Sequence, residues 1–267
     1  PCIDRLREDD DVPTHFEVLT AVALRHFSEM DVDVAILEVG IGGRYDATSA
    51  VDPVASAVTS VSLEHTELLG ETVEEIARDK AQVAPQAGPL VTGADGPALA
   101  AIREVTDVIS VGAERDDGDD PDVVAVETGM RSAVESEISI VGPDWSLDTN
   151  LPLLGSHQAC NAGVAATLAR QIAAVDPDTI AEGLRSVVWP GRFEIMSTEP
   201  MIVLDGSHNP GAAATLSDLL GRYEYEDLHL VFGAMGDKAY GEMVESLPEV
   251  ETAYATRPDL DRAIDHA

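Results

Sequence analysis

Lysine is almost missing: two occur in 267 residues, Lys80 and Lys238, against fourteen arginines. Cysteine is as scarce, with Cys2 at the terminus and Cys160 inside an expected helix. That excludes a disulfide-stapled scaffold and suits free thiols in a reducing cytoplasm. No apolar run approaches the roughly 20 residues needed to span a bilayer, and no basic-apolar-small leader opens the chain, so no membrane role is expected. Positive charge is short overall: 16 basic against 50 acidic residues give a net charge of -34 and a pI near 4.2. Such a surface repels nucleic acid and anionic lipid, which excludes both as partners. Low lysine, strong acidity and few aromatics together match a protein of a salt-saturated cytoplasm. A Walker A pattern, GxxxxGK followed by Ser or Thr, is also lacking. The glycines of "VGIGGRYDAT" run GxGG and not GxGxxG, which rejects a dinucleotide fingerprint.

What is present suffices for a core, since 45% of the residues are hydrophobic. A helix is expected from about Phe16 to Glu29, then "DVAILEVG" as a doubly covered parallel strand, and a second such strand at "VASAVTSV". "GPLVTG", an Ala-rich helix and "DVISVG" continue the α/β alternation. The acidic stretch at 113–122 reads as a solvated loop, and "DVVAVET", "SEISIV" and "WSLDTNLPL" as an antiparallel meander. A long helix follows from Ser156 to Ala174, then a shorter one through "PDTIAEGLRSV". Pro and Gly in "VWPGRFEI" mark a hinge. Beyond it a fresh α/β series begins with "MIVLD", which puts a domain boundary near Arg192. The abrupt start and end of the sequence give both termini the look of cut ends.

One helix carries an anomaly. In "LGETVEEIARDKAQVAP", Thr72 and Glu75 form a capping box and Pro85 a stop, so a helix is expected over about Val73 to Ala84. Val73, Ile76 and Val83 form its inward stripe, and Lys80 falls in register with them. Glu38 closes the first buried strand and His65 lies just past the second, and ligands collect at the carboxyl ends of such strands. A carboxylate, an imidazole and a buried lysine are therefore expected to converge at one sheet edge. The competing reading has Glu38 capping a turn, His65 held in its loop and Lys80 snorkelling to water. Similarly, "LDGSHNPGAAA" sets Asp205, His208 and Asn209 at a helix N-terminus, as either an anion or ribose site or a capping turn.

Six stretches, "EVGIGGRYDATSAVDP", "TSVSLEHTELLGETVEEIARDKAQV", "GSHQACNA", "WPGRFEI", "LDGSHNP" and "FGAMGDK", resemble in order and spacing the folylpolyglutamate and dihydrofolate synthases of the Mur ligase superfamily. The resemblance implies an α/β fold with two parts. Residues 1–192 would be the central ATPase domain, a mostly parallel sheet with helices on both faces plus a small antiparallel part, without its P-loop portion. Residues 193–267 would be an incomplete, smaller Rossmann-like domain. It implies ATP-dependent addition of L-glutamate to dihydropteroate or a folate through an acyl phosphate, in the cytoplasm.

By the same resemblance, Lys80 is carbamylated and Glu38 and His65 ligate Mg²⁺. Thr14, His15, Phe16 and Glu17, with Tyr45, Asp46 and Ala47, contact the pterin. Asn161, Arg192 and Asp205 contact ATP, with His208 and Lys238 near the phosphates. Family members carry a P-loop and a metal-ligating serine upstream of the first motif, and this chain begins after both. The expectation is a fragment of a longer ligase; the alternatives are another Mur-type amide ligase, or a catalytically silent nucleotide-binding or interaction module.

Overall fold

A computed structural model describes residues 12–114, 120–235 and 239–257. The chain falls into two compact units, one comprising residues up to Val124 together with Gly163–Val175, the other Ala125–Ala162 together with everything from Asp176 onward.

In the first unit, α1 (His15–Met30) begins at a reciprocal capping box. The Thr14 hydroxyl accepts from the Glu17 amide at 3.2 Å, and the Glu17 carboxylate accepts from the Thr14 amide at 2.6 Å, which satisfies two otherwise orphaned donors. Strands β1 (Ser56–Val58), β2 (Leu90–Thr92) and β3 (Val108–Gly112) pair in parallel in that order, and the first two residues of β4 (Val123–Ser132) extend the parallel ladder from β3. Every residue of β2 is buried, the mark of a sheet covered on both faces. Thr92 is tolerated there because its hydroxyl donates to the Val58 carbonyl at 2.9 Å and accepts from the Ala94 amide, which leaves no polar atom unpaired.

The core beside this sheet is alanine-rich. Ala77 and Ala81 pack with Ala94, Ala98, Ala101 and Ile102 around Leu90 and Val58. Ala77 comes from α3 (Val73–Lys80), Ala81 from the short 3-10 turn after it, Ala98, Ala101 and Ile102 from α4 (Gly96–Arg103), and Ala94 from the turn between β2 and α4. The box of Thr72 and Glu75 caps α3 as expected. The α-helix ends earlier than expected, tightening into a 3-10 turn over Ala81–Val83, because Pro85 disfavours the helical conformation for the residue before it.

The segment 33–40 departs from expectation. It forms no strand, and Val34 and Ile36 are 54% and 87% exposed. No strand among the described residues pairs with it, so its backbone has no ladder to join and its apolar side chains stay in water. The run at 54–61 likewise shortens to the three residues of β1. In the acidic stretch 113–122, residues 115–119 lie outside the described residues. Asp122 at its end is not free in solvent: its carboxylate takes the Ser110 amide at 2.8 Å and hydroxyl at 2.7 Å.

In the second unit β4 continues from Ala125, followed by β5 (Glu135–Val141) and β6 (Ser146–Leu151), the last two paired antiparallel over six residue pairs. Their burial alternates, with Ile138, Ile140, Leu147 and Leu151 inward, as a one-sided antiparallel sheet requires. Helix α5 (Ser156–Ile172) passes from the second unit into the first at Gly163, and α6 (Pro177–Arg185) packs on β6. The C-terminal α/β part carries two small sheets. Strand β8 (Met201–Leu204) pairs antiparallel with β7 (Glu194–Thr198), whose first two residues end the segment read as a hinge. Strands β9 (His229–Phe232) and β10 (Thr252–Ala255) pair in parallel, with α7 (Pro210–Leu220) before β9 and α8 (Tyr240–Glu245) between them. Among the described residues no helix is long and apolar enough to cross a membrane.

Candidate functional site

The chemistry-bearing residues of the first unit gather at the C-terminal end of α3. Lys80 keeps only 19% of its side chain exposed, and its Nζ lies 3.0 Å from Glu64 Oε1, the residue before His65. The cation on the apolar stripe therefore meets a carboxylate from the "LEHTE" loop. His65 itself is exposed and left-handed, with φ 49, at the start of α2 (Thr66–Leu69). A non-glycine residue held there is uncommon and recurs at functional loops.

Asp79, next to Lys80, ties in a second loop. Its Oδ1 accepts from the Gly43 amide at 2.9 Å. A Cβ on Gly43 would sit 2.7 Å from the Asp79 carbonyl oxygen and 2.8 Å from that of Lys80, and one on Gly42 (φ +71) 2.4 Å from Asp79 Oδ1. Gly43 is thus required by close backbone approach, and Gly42 by its left-handed φ and the crowding of Asp79 and Leu69. Inside the loop Asp46 is the organiser. Its Oδ2 takes the amides of Gly40 at 2.9 Å and Ile41 at 3.3 Å, and its Oδ1 the amide and hydroxyl of Thr48 at 2.9 and 2.6 Å. Partial burial pushes the carboxyl up, but the Thr48 bonds and the two loop amides outweigh it and hold it below the ordinary value. Glu38, two residues before this loop, is exposed. Among the described residues no group of three or more His, Cys, Asp or Glu side chains is placed to hold a metal.

The two stretches matched to pterin contacts come together. The Phe16 ring runs beside Gly40, near enough that a Cβ there would meet it at 3.1 Å, and α1 packs on the 3-10 turn Ala47–Ala50. Tyr45 is 85% exposed, with the Arg44 guanidinium 5.0 Å from its ring centroid. Thr14 and Glu17 are committed to the α1 cap, and the Thr14 amide and hydroxyl hold the Glu17 carboxyl low. His15 is exposed and Ala47 half-buried.

The residues matched to ATP contacts lie in the second unit. Asp205 Oδ2 accepts from the Phe193 amide at 2.8 Å, its Oδ1 accepts from the Ser207 amide at 2.8 Å and from the Ser207 hydroxyl, and the Gly206 amide reaches the Gly191 carbonyl at 2.8 Å. Asp205 so staples "WPGRF" to "DGSHNP", with exposed Arg192 between left-handed Gly191 (φ 71) and Phe193 (φ 46). His208 Nδ1 lies 3.1 Å from the Gly206 carbonyl, and Asn209 caps α7 through the Ala212 amide at 2.8 Å. The capping reading of this turn is therefore present, with exposed His208 beside it. Asn161, on α5, contacts Gln158 at 3.2 Å. One turn before it, desolvation pushes His157 below its usual value against the pull of Asp205 and Glu127. Lys238 lies outside the described residues.

Glu64, Asp79, Glu127 and Arg222 escaped the sequence reading. Glu64 had one available signal: a lysine on an apolar stripe needs a counter-charge, and the adjacent loop offers it.

Residues 7–169 match the Mur ligase middle domain, and residues 191–267 the Mur ligase glutamate ligase domain. The chain belongs to the Mur ligase family. Its relatives include a Halobacterium salinarum protein named "Probable bifunctional folylpolyglutamate synthase/dihydropteroate synthase", 55% identical over 99% of this chain and 32% of that protein. A Haloferax volcanii protein of the same name is 52% identical over 96% of this chain and 31% of the relative. Among solved Mur ligase structures, folylpolyglutamate synthase from Thermotoga maritima superimposes at a TM-score of 0.83 with 31% identity, over all of this chain and 62% of that one. The Mycobacterium tuberculosis enzyme complexed with ADP superimposes at 0.85 with 28% identity, over 98% of this chain and 60% of its own. The chain thus spans about a third of the length of the haloarchaeal relatives.

Proposed function

We propose that the protein carrying this chain is an ATP-dependent ligase that adds L-glutamate to dihydropteroate or a folate. The observation that carries the reading is the docking of two loops on one helix end: "LEHTE" through Glu64 and Lys80, and the Gly-rich loop through Gly43 and Asp79. That arrangement brings the Lys80 helix, the His65 loop and the Tyr45–Asp46 segment to one place, as an acyl-phosphate-forming site of this family would need. The acceptor carboxylate attacks the γ-phosphate of ATP to give an acyl phosphate and ADP. The glutamate amine then displaces phosphate through a tetrahedral intermediate, and positioning and electrostatics supply most of the rate.

Phe16 and Tyr45 are the aromatic faces offered to a pterin, while Asp46 acts mainly by shaping the loop. Asn161, Arg192, Asp205 and His208 offer polar groups to the nucleotide. The domain boundary is proposed near Arg192, where left-handed Gly191 and Phe193 turn the backbone, although both sides of it belong to the second compact unit. Glu38 and His65 would supply two ligands to Mg²⁺, leaving phosphate oxygens and water to complete the octahedron that ion requires; bound there, the cation would neutralise phosphate charge. Lys80 is proposed to work as its carbamate. As an ammonium it pairs with Glu64, whereas a carbamate beside Glu64 places two anions together, a state that favours a cation at the same spot. Haloarchaeal relatives whose name joins folylpolyglutamate synthase to dihydropteroate synthase support dihydropteroate as an acceptor, because the second activity makes it. A reducing, salt-rich cytoplasm fits the composition.

The test uses the full-length protein. Glutamate-dependent ADP release is expected with dihydropteroate or a folate, lost in Glu38→Ala and in Lys80→Ala, with partial recovery of Lys80→Ala by short carboxylic acids. Lys80→Arg should fail, since it keeps the charge and cannot be carbamylated. Parent-like turnover by Lys80→Arg would sink the carbamate, and no ADP release by the parent would favour a catalytically silent module.

A further inference from the structure

Glu127 on β4 has no role in the chemistry described so far, yet three donors converge on it in four bonds. One guanidinium nitrogen of Arg222, Nη1, donates to both carboxylate oxygens at 2.8 and 2.9 Å, and the Ser136 hydroxyl donates at 2.6 Å. The Gly155 amide adds a backbone bond. Only 9% of the Glu127 side chain is exposed, and 31% of Arg222. Partial burial pushes Glu127 up, but its bonds to Arg222 and Ser136 outweigh this and hold it ionised, and Glu127 in turn raises Arg222.

Among the described residues, the neighbours of this pair lead to Asn161, Arg192 and Asp205, three of the residues matched to the nucleotide. Gly155, left-handed at φ +107, immediately precedes α5, and a Cβ on it would lie 2.8 Å from the His157 ring. Asn161 follows one turn later. On the other side Tyr223 donates its hydroxyl to the Ala133 carbonyl at 2.6 Å and stacks on Phe193 with centroids 5.8 Å apart. Phe193 is the buried left-handed residue whose amide Asp205 holds, and Arg192 is its neighbour.

We infer that Glu127 and Arg222 are positioning residues of the nucleotide site, a brace that holds the start of α5, with His157 and Asn161, in register with the loop of Arg192 and Asp205. The inference rests on the nucleotide reading given above. A merely stabilising ion pair would alter melting alone. A brace alters affinity in protein that is fully folded, because side chains that bind nucleotide lose their fixed spacing. Being largely out of water, the pair should keep its effect in molar salt, where exposed pairs are screened.

The experiment titrates ADP and a non-hydrolysable ATP analogue into full-length protein by calorimetry in molar KCl, below the melting range of every variant. Glu127→Gln and Arg222→Met should each weaken nucleotide binding by about tenfold or more, the size of a coupling within one network. The double variant should be no worse than either single one. The KM for ATP should rise in parallel while kcat at saturating nucleotide changes much less, and Arg222→Lys should recover part of the affinity. If the first two variants fail to fold, Tyr223→Phe and Ser136→Ala, each deleting a single hydroxyl bond, carry the test with an expected loss of about two- to fivefold. Parent-like affinity in folded variants, or additive losses in the double variant, overturns the brace. A parent that binds no nucleotide overturns the nucleotide reading itself, and the brace with it.

Discussion

Asp46 separates a loop-organising carboxylate from one that merely touches substrate. Its oxygens accept four bonds from Gly40, Ile41 and Thr48. Asp46→Asn removes the charge and turns an NH2 group toward one pair of donors, so about two bonds are lost. Hydrogen bonds to a charged group contribute about 1.5–3 kcal/mol each when well shielded. Asp46 is only partly buried, so we expect a net loss of ~2 kcal/mol in total after discounting for water. For a chain of this length that lowers the melting temperature by about 4–8 °C. The same bonds make the contribution pH-dependent. The folded carboxyl titrates below its ordinary value, so its stabilisation is complete above the unfolded pKa of about 3.9 and is lost as pH falls through the folded value. Asp46→Asn cannot titrate, and its stability should fall less steeply in acid. Calorimetric melts of parent and variant at neutral pH and across the acid range check both statements. Equal melting temperatures at neutral pH, or an undiminished acid slope, would refute the organising role and leave Asp46 as a ligand contact only.

Two glycines should respond in opposite directions. Gly43→Ala drives a methyl into the backbone oxygens of Asp79 and Lys80 and should cost about 1–3 kcal/mol, whereas Gly183→Ala, in helix α6 with nothing within 4 Å, should gain about 0.5–1 kcal/mol; denaturant melts with unchanged m-values read both. With a net charge of -34, melting should rise steeply between about 0.1 and 3 M KCl as the Debye length shrinks to roughly 3 Å by 1 M. A melting temperature independent of salt would remove the halophilic reading.

The sequence by itself determined elements whose signals are local. The capping box at Thr72, the helix behind it, the first helix, the antiparallel meander and the strand at β2 are legible because periodicity, caps and turn residues act over a few neighbours. It also marked Lys80 as anomalous. What it could not supply is which distant groups answer one another. That Lys80 meets Glu64, that Asp79 holds Gly43, that Asp205 staples Phe193 and that Arg222 reaches Glu127 are pairings across 12 to 95 residues, fixed only when the chain folds. The strand expected at 33–40 shows the same limit from the other side: an apolar run is a strand only where another strand offers its hydrogen bonds, and among the described residues none does. The backbone turn at Arg192 was visible in its Pro and Gly. Its left-handed Phe193 was not, because an aromatic residue has no intrinsic preference for that conformation, and the Asp205 carboxylate and the stacked Tyr223 ring hold it there.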